Sequence, residues 1–231
     1  MTTCQKIFKG IHWAFILTLL WYFSLHNLTA QERIVDDAAI TNYRSFQIET
    51  WYGQFESVFM PAIGANEWLE IGTGLIFDSE NQLRFNGFMP EIKVINNDYE
   101  VNGSSLGVVM GMVFDSEVNF SELYLYIPYS RLLLEEKLIL HLNAGLNYIP
   151  SNTEKINAIY GMRCDIPLYN RWGLITGVFA ENLDFSFYGG ARYQLIPELI
   201  ELIATFGQGF SPVFKTPGFA VQLTFTPDQL W

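Results

Sequence analysis

Hydrophobic and polar residues alternate through residues 137–148, which read KLILHLNAGLNY. One set of alternate positions holds four leucines, an alanine and a tyrosine, whereas the other set is mostly polar. A period of two predicts a β-strand whose two faces meet different solvents. The segment is also close to the roughly 9–11 residues that a strand needs to cross a membrane. We therefore take it as the repeating unit of the fold.

The same alternation recurs along the chain and predicts twelve strands joined by short turns. A longer stretch, residues 45–63, provides two of them if Tyr52 and Gly53 form a tight turn. If that stretch is one bent strand, the count falls to eleven, whereas bacterial single-chain barrels have even numbers. A total as low as ten stays open as well. The other segments are 69–77, 85–95, 106–114, 122–127, 156–166, 172–181, 187–195, 200–207 and 219–226.

The composition, half hydrophobic and 16% aromatic, fits either a soluble β-sandwich or a barrel with lipid outside. Two patterns favour the barrel. Aromatic residues collect near strand ends, as at bilayer interfaces: Trp51, Tyr52, Trp68, Tyr148, Trp172, Tyr193 and Phe225. Glycines recur on the polar face, where they allow bending and leave room inside a closed sheet. We predict an all-β protein: a single antiparallel transmembrane β-barrel of twelve strands.

The N-terminal residues have the pattern of a secretory signal peptide. Lys6 and Lys9 precede an apolar run that is too short for a comfortable membrane helix, and Ala30 supplies a small residue for cleavage. The alternative is a retained membrane anchor. We therefore divide the chain into a signal peptide (1–30), a periplasmic N-terminal tail (31–43) and the transmembrane barrel (44–231). Cleavage would leave Cys164 as the one cysteine, which excludes an intramolecular disulfide.

Charge and polar parity predict the interior of the barrel. The formal net charge is −11, which excludes an electrostatic footprint for nucleic acid. We expect Arg192 to lie opposite Glu201. The strand pattern also puts Glu70 beside Glu91 and Lys93, and Tyr124, His141 and Arg163 at similar depth. The predicted lumen-lining residues are Glu70, Glu91, Lys93, Glu122, Tyr124, His141, Asn143, Arg163, Glu181, Arg192 and Glu201.

The sequence predicts no catalytic, metal or cofactor site. After cleavage the chain has a single histidine, His141, so a site built of several histidines is excluded. The spacing of His141 and Asn143 is similar to that of His and Ser in outer-membrane phospholipases. Asn143 stands at the serine position, however, and cannot act as a hydroxyl nucleophile. We therefore predict that the protein is not an enzyme.

Strand and turn segments in the C-terminal third resemble one group of outer-membrane barrels. They are residues 177–181 (GVFAE), 190–198 (GARYQLIPE), 201 and 204–207 with a final strand at 218–226, and earlier 66–72 (NEWLEIG). The group is associated with the meta-pathway of phenol degradation and includes related transporter-like proteins. The resemblance implies an outer-membrane barrel that passes small, apolar or aromatic molecules, and it supplies no catalytic residue.

Three functions are compatible with this pattern. The first is a passive channel or uptake pore for small molecules in the outer membrane of a Gram-negative cell. The second is a non-conducting structural barrel with a packed polar interior, and the third is an outer-membrane enzyme, which the missing nucleophile disfavours. The expected partners are outer-membrane lipids, the barrel-assembly machinery and a small-molecule solute. Because inward acids outnumber bases, a conducting pore should prefer cations.

Overall fold

The computed structural model describes residues 35–80, 82–210 and 218–227. Twelve antiparallel strands form a closed barrel, in which each strand pairs with its sequence neighbours and β12 pairs with β1. The prediction of a single antiparallel barrel of twelve strands is confirmed. The strands are β1 (Phe46–Gly53), β2 (Glu56–Asn66), β3 (Leu69–Asp78), β4 (Arg84–Ile95), β5 (Ser104–Asp115), β6 (Phe120–Leu133), β7 (Leu138–Tyr148), β8 (Ile156–Pro167), β9 (Trp172–Glu181), β10 (Asp184–Ile196), β11 (Ile200–Gly209) and β12 (Gly218–Phe225).

The stretch 45–63 divides into two strands, and this division makes the count even. Strand β1 continues through Gly53, so the turn lies at residues 54–55, just after the predicted position. A short helix, α1 (Tyr99–Asn102), joins β4 to β5. Asp98 caps its N-terminus, and Gly103 ends it with a φ of 78°, which a glycine adopts at little cost. In the described residues, no helix is long and apolar enough to cross a membrane.

The two faces of the strands differ as the alternation predicts. On β7, Leu142 and Leu146 are exposed on the outer surface, whereas His141 and Asn147 are 1% exposed and point inward. Aromatic rings pack against each other near the strand ends, as Trp172 does on Tyr193 with ring centroids 4.6 Å apart. An apolar outer band with aromatic ends matches the surface of a barrel that faces lipid.

The strand registers correct two of the three predicted neighbour sets. Arg192 lies opposite Ile203, and Glu201 lies opposite Gln194, because a three-residue turn and a bulge between Gln194 and Ile196 shift the hairpin. Glu70 does lie opposite Lys93.

The third predicted set placed Tyr124, His141 and Arg163 at similar depth, and the pairing of β7 with its two neighbours tests it. His141 is opposite Arg163, as expected from their similar depth. Tyr124, however, pairs with Asn147 and so lies several residues away from His141 along the barrel. The two incorrect predictions, Arg192 opposite Glu201 and Tyr124 at the depth of His141, both depended on where the turns lie. The alternation of hydrophobic and polar residues specifies turn positions poorly.

The chain before β1 is placed differently from the prediction of a periplasmic tail. Residues 35–41 lie inside the barrel, where Val35 and Ala38 are fully buried, and residues 42–44 are exposed where the chain leaves the lumen. The physical reason is that polar side chains of the lumen satisfy the main chain of this stretch. We call residues 35–41 the inner segment. The predicted signal peptide lies outside the described residues.

Candidate functional site

The barrel encloses a cavity of about 810 Å³ that runs beside the inner segment. Its lining comes from strands all around the barrel and from the inner segment itself. The lining is strongly acidic, with basic side chains only at Lys93, Arg163 and Arg192 among the described residues. The carboxyl side chains are Asp36, Asp37, Glu49, Glu56, Glu70, Glu91, Glu100, Asp115, Glu122, Asp165, Glu198 and Glu201.

The deeper half of the inner segment is fixed by three side chains of β7, β8 and β10. The main-chain N–H of Val35 donates to the Tyr188 hydroxyl at 3.3 Å, and its carbonyl accepts from Arg163 at 2.7 Å. The Asn143 amide, oriented to satisfy both partners, accepts from the N–H of Asp36 and donates to its carbonyl, each at 2.9 Å. These contacts hold main-chain groups that would otherwise be buried without partners.

The shallower half is held by β6 and β3. The N–H of Ala38 donates to the Ser130 hydroxyl at 2.7 Å. The N–H and the hydroxyl of Thr41 both donate to the Glu70 carboxylate at 2.6 Å. Ser130 and Thr41 are almost completely buried, so these hydrogen bonds are shielded from water.

Two aspartates of the inner segment form ion pairs with the barrel wall. Lys93, whose side chain is 8% exposed, lies 2.9 Å from the Asp36 carboxylate and 3.7 Å from that of Asp37. The Tyr126 hydroxyl also donates to Asp36 at 2.9 Å. Arg163 lies 3.7 Å from Asp37. Burial by itself would raise the pKa of the Asp37 carboxyl, but Lys93 and Arg163 outweigh it and hold that pKa below its ordinary value.

The ion pairs continue across β8, β10 and β11. Arg163 Nε is 2.9 Å from the buried Asp165 carboxylate, and Arg192 is 3.6 Å from the same group. Arg192 also lies 3.9 Å from Glu201, although the two are diagonal and not directly opposite. The predicted Arg192–Glu201 pair is therefore present as a long contact that Arg192 shares with Asp165.

His141 takes part in a buried set that the sequence analysis missed. Its Nδ1 is 2.7 Å from the Ser130 hydroxyl, and its Nε2 is 3.7 Å from Asp165. Tyr99 of α1 packs edge-on against the imidazole, with centroids 5.9 Å apart. The phospholipase pattern has its serine two residues along the same strand, whereas Ser130 lies on the neighbouring strand, directly opposite His141.

These three residue types are those of a hydrolytic triad, but their setting does not suit hydrolysis. Ser130, His141 and Asp165 are each at most 2% exposed. The serine oxygen already accepts a hydrogen bond from Ala38, so the inner segment occupies the approach to the nucleophile. With the inner segment in place, a reacting carbonyl cannot approach this hydroxyl.

The predicted lumen residues fall into two groups. Nine of the eleven line the cavity: Glu70, Glu91, Lys93, Glu122, Tyr124, Asn143, Arg163, Arg192 and Glu201. His141 lies in the wall behind the inner segment, and Glu181 ends β9 opposite Asp184, outside the cavity lining. Within the cavity, Tyr124 donates to Glu91 at 2.6 Å. Sequence reasoning did not place Asp36 and Asp37 in this site, since they lie in an unpatterned stretch.

No family model matches the sequence, and no curated protein matches it. Among solved structures, the barrel is similar to the KdgM porin, with a TM-score of 0.60 and 7% identity over 79% of this chain and 99% of that chain. It is also similar to the COG4313 outer membrane channel from Pseudomonas putida F1, with a TM-score of 0.60 and 11% identity over 84% of this chain and 98% of that one. The chain therefore has the fold of outer-membrane β-barrels.

Proposed function

We propose that the protein is a passive channel of the bacterial outer membrane for small polar solutes, with a preference for cations. The observation that carries the proposal is an acidic, partly open cavity inside a closed barrel whose outer face is apolar. A cleft lined by one sign of charge concentrates ions of the opposite sign. Twelve strands also enclose more space than the eight strands whose interior is filled by side chains.

The acidic lining separates this channel from two related possibilities. One solved structure with a TM-score of 0.61, 7% identical over 79% of this chain and 99% of that one, is the KdgM porin in complex with disordered oligogalacturonate. An oligogalacturonate is a polyanion, which an acidic lumen disfavours electrostatically. The resemblance to the meta-pathway barrels implies apolar or aromatic solutes, whereas ion pairs and carboxylates support polar ones.

Export and membrane insertion belong to the same proposal. The signal peptide predicted at residues 1–30 would direct the chain across the inner membrane, and the barrel-assembly machinery would insert it into the outer membrane. Lipid acyl chains would then cover the apolar outer face. We expect the purified protein to migrate faster on a gel unheated than boiled. A water-soluble monomer that needs no detergent would contradict this membrane location.

The second candidate function is a non-conducting structural barrel. The ion pairs and main-chain hydrogen bonds that hold the inner segment inside the barrel favour this second function, because the held segment narrows the lumen. Conductance in planar lipid bilayers distinguishes the two, measured for the whole chain and for a variant lacking residues 35–41. We expect cation-selective current that is larger for the deletion variant. Absence of current from both proteins, each shown to be folded, would contradict the channel and favour the structural barrel.

A further inference from the structure

The inner segment is held mainly through its main chain. The N–H groups of residues 35, 36, 38 and 41 and the carbonyls of residues 35 and 36 all have partners among lumen side chains. These partners come from five strands, β3, β6, β7, β8 and β10. Main-chain groups are common to every peptide, and buried ones are usually satisfied by a neighbouring strand or by water. The lumen therefore carries the side chains needed to bind a peptide along this path.

The barrel wall also selects for two adjacent acidic residues. Asp36 contacts both Lys93 and Tyr126, and Asp37 lies between Lys93 and Arg163. Lys93 is nearly buried, so its charge depends on these carboxylates for compensation. A peptide without the acidic pair would leave this buried ammonium with less negative charge around it.

Two glycines of the wall leave the space that the inner segment fills. A Cβ added to Gly161 would stand 2.5 Å from the Val35 side chain. A Cβ added to Gly64 would collide with the main-chain oxygens of Thr41 and of the next residue, Asn42. Real atoms do not approach so closely at either glycine, so the shape of the wall fits the inner segment and the residue that follows it.

We propose that the lumen is a binding site for short acidic peptides, filled in this structure by the protein's own residues 35–41 as an internal ligand. The recognised features are main-chain hydrogen-bonding groups at fixed spacing, two adjacent carboxylates and small flanking side chains. This goes beyond the proposed channel function, because the site binds peptide whether or not the barrel conducts. When the barrel does conduct, a peptide in this site narrows the path.

The test removes the internal ligand and returns it as a separate molecule. A variant lacking residues 35–41, with all twelve strands retained, is folded in detergent and titrated calorimetrically with the synthetic peptide VDDAAIT up to millimolar concentration. We expect saturable binding. The peptide VNNAAIT, which lacks both charges, should bind at least about tenfold more weakly, because hydrogen bonds to charged groups are the stronger ones. A peptide N-methylated at the alanine that corresponds to Ala38 should also bind more weakly, since it cannot donate to Ser130.

A second pair of variants tests the shape of the site. Gly161→Ala in the deletion variant should weaken binding of VDDAAIT at least about tenfold, because the added methyl group occupies the position of the valine side chain. Gly189→Ala is the matched control, since its Cβ would meet no atom closer than 3.7 Å, and it should leave the affinity unchanged. The unheated gel mobility establishes that each variant has folded.

The outcomes separate this proposal from the channel. A folded deletion variant that conducts but does not bind VDDAAIT at millimolar concentration overturns the peptide site and leaves the channel intact. Equal binding of VDDAAIT and VNNAAIT also overturns the proposal, because the lumen would then not discriminate between peptides by their two adjacent carboxylates. A deletion variant that binds VDDAAIT selectively but never conducts supports the peptide site and contradicts the channel.

Discussion

The wall formed by β6, β7 and β8 and the wall formed by β11, β12 and β1 have the same inward polar pattern but different environments. On the first wall, Ser130, His141 and Asp165 are at most 2% exposed, and the inner segment lies against this wall through the hydrogen bond from Ala38 to Ser130. On the second wall, Glu49 and Gln222 line the cavity and stay partly exposed. We call these the covered wall and the open wall. Inward parity therefore does not determine whether a residue meets solvent.

The largest expected difference between the two walls is in stability. Arg163→Ala on the covered wall should lower the free energy of unfolding by about 3–5 kcal/mol, because it leaves the buried Asp165 without its nearest cation and removes one of the two cations beside Asp37. Gln222→Ala on the open wall should change it by less than about 0.5 kcal/mol. Urea titrations of both variants folded into lipid vesicles provide the measurement. Similar losses for the two would contradict the distinction between the walls.

A charge placed on the lipid face gives the next largest effect. Leu142→Arg should cost about 2–4 kcal/mol if the residue lies near the bilayer midplane. Thr224→Arg, which points into the cavity from the open wall, should cost much less because its guanidinium stays hydrated. Asn143→Arg should resemble Leu142→Arg in cost, since it removes both hydrogen bonds to Asp36. The same vesicle titrations apply, and an inexpensive Leu142→Arg would contradict the lipid-facing assignment.

Ion selectivity should depend on Arg192, which lies on β10 between the two walls. The Arg192 side chain is 21% exposed and lies 3.9 Å from Glu201, a partly hydrated contact worth roughly 0–1 kcal/mol. Its other partner, Asp165, is 3.6 Å away and keeps Arg163 at 2.9 Å when Arg192 is replaced. Arg192→Ala should therefore strengthen cation preference with a modest change in stability. Reversal potentials across a salt gradient measure the preference. A shift toward anions would show that carboxylates do not control the path.

Acid should loosen the covered wall. Lys93 and Arg163 lower the pKa of Asp37 despite its burial. The ionised Asp37 carboxylate therefore stabilises the folded state at pH values above its ordinary pKa of 3.8, and this stabilisation is lost as the pH falls below that value. The groups around it are Lys93, Arg163, His141, Asp36 and Asp165. We expect a small rise in conductance below about pH 4, which Asp37→Asn should reduce. A rise that is unchanged in that variant would point to another carboxyl.

Much of the barrel follows from sequence because a period of two persists through every strand. Leu142 and His141 differ in environment for that reason alone. The opposition of Arg192 and Glu201 was wrong because one bulge and the length of one turn shift the register, and neither has a strong sequence signal. The inner segment was missed since VDDAAIT has no periodicity and its partners are spread over six strands. The one sequence feature that could have indicated the inner segment is the adjacent acidic pair, Asp36 and Asp37, in a chain with only 13 lysines and arginines.

The inner segment is joined to β1 by only four residues, 42–45. A ligand on so short a tether experiences an effective concentration in the millimolar range or above. A free peptide must therefore reach comparable concentrations before it displaces the segment from the intact chain. Release is also first order and independent of protein concentration. Eleven residues from Val35 to Ser45 can span at most about 36–40 Å, so the displaced segment can leave through the end where β1 begins and return without leaving the molecule.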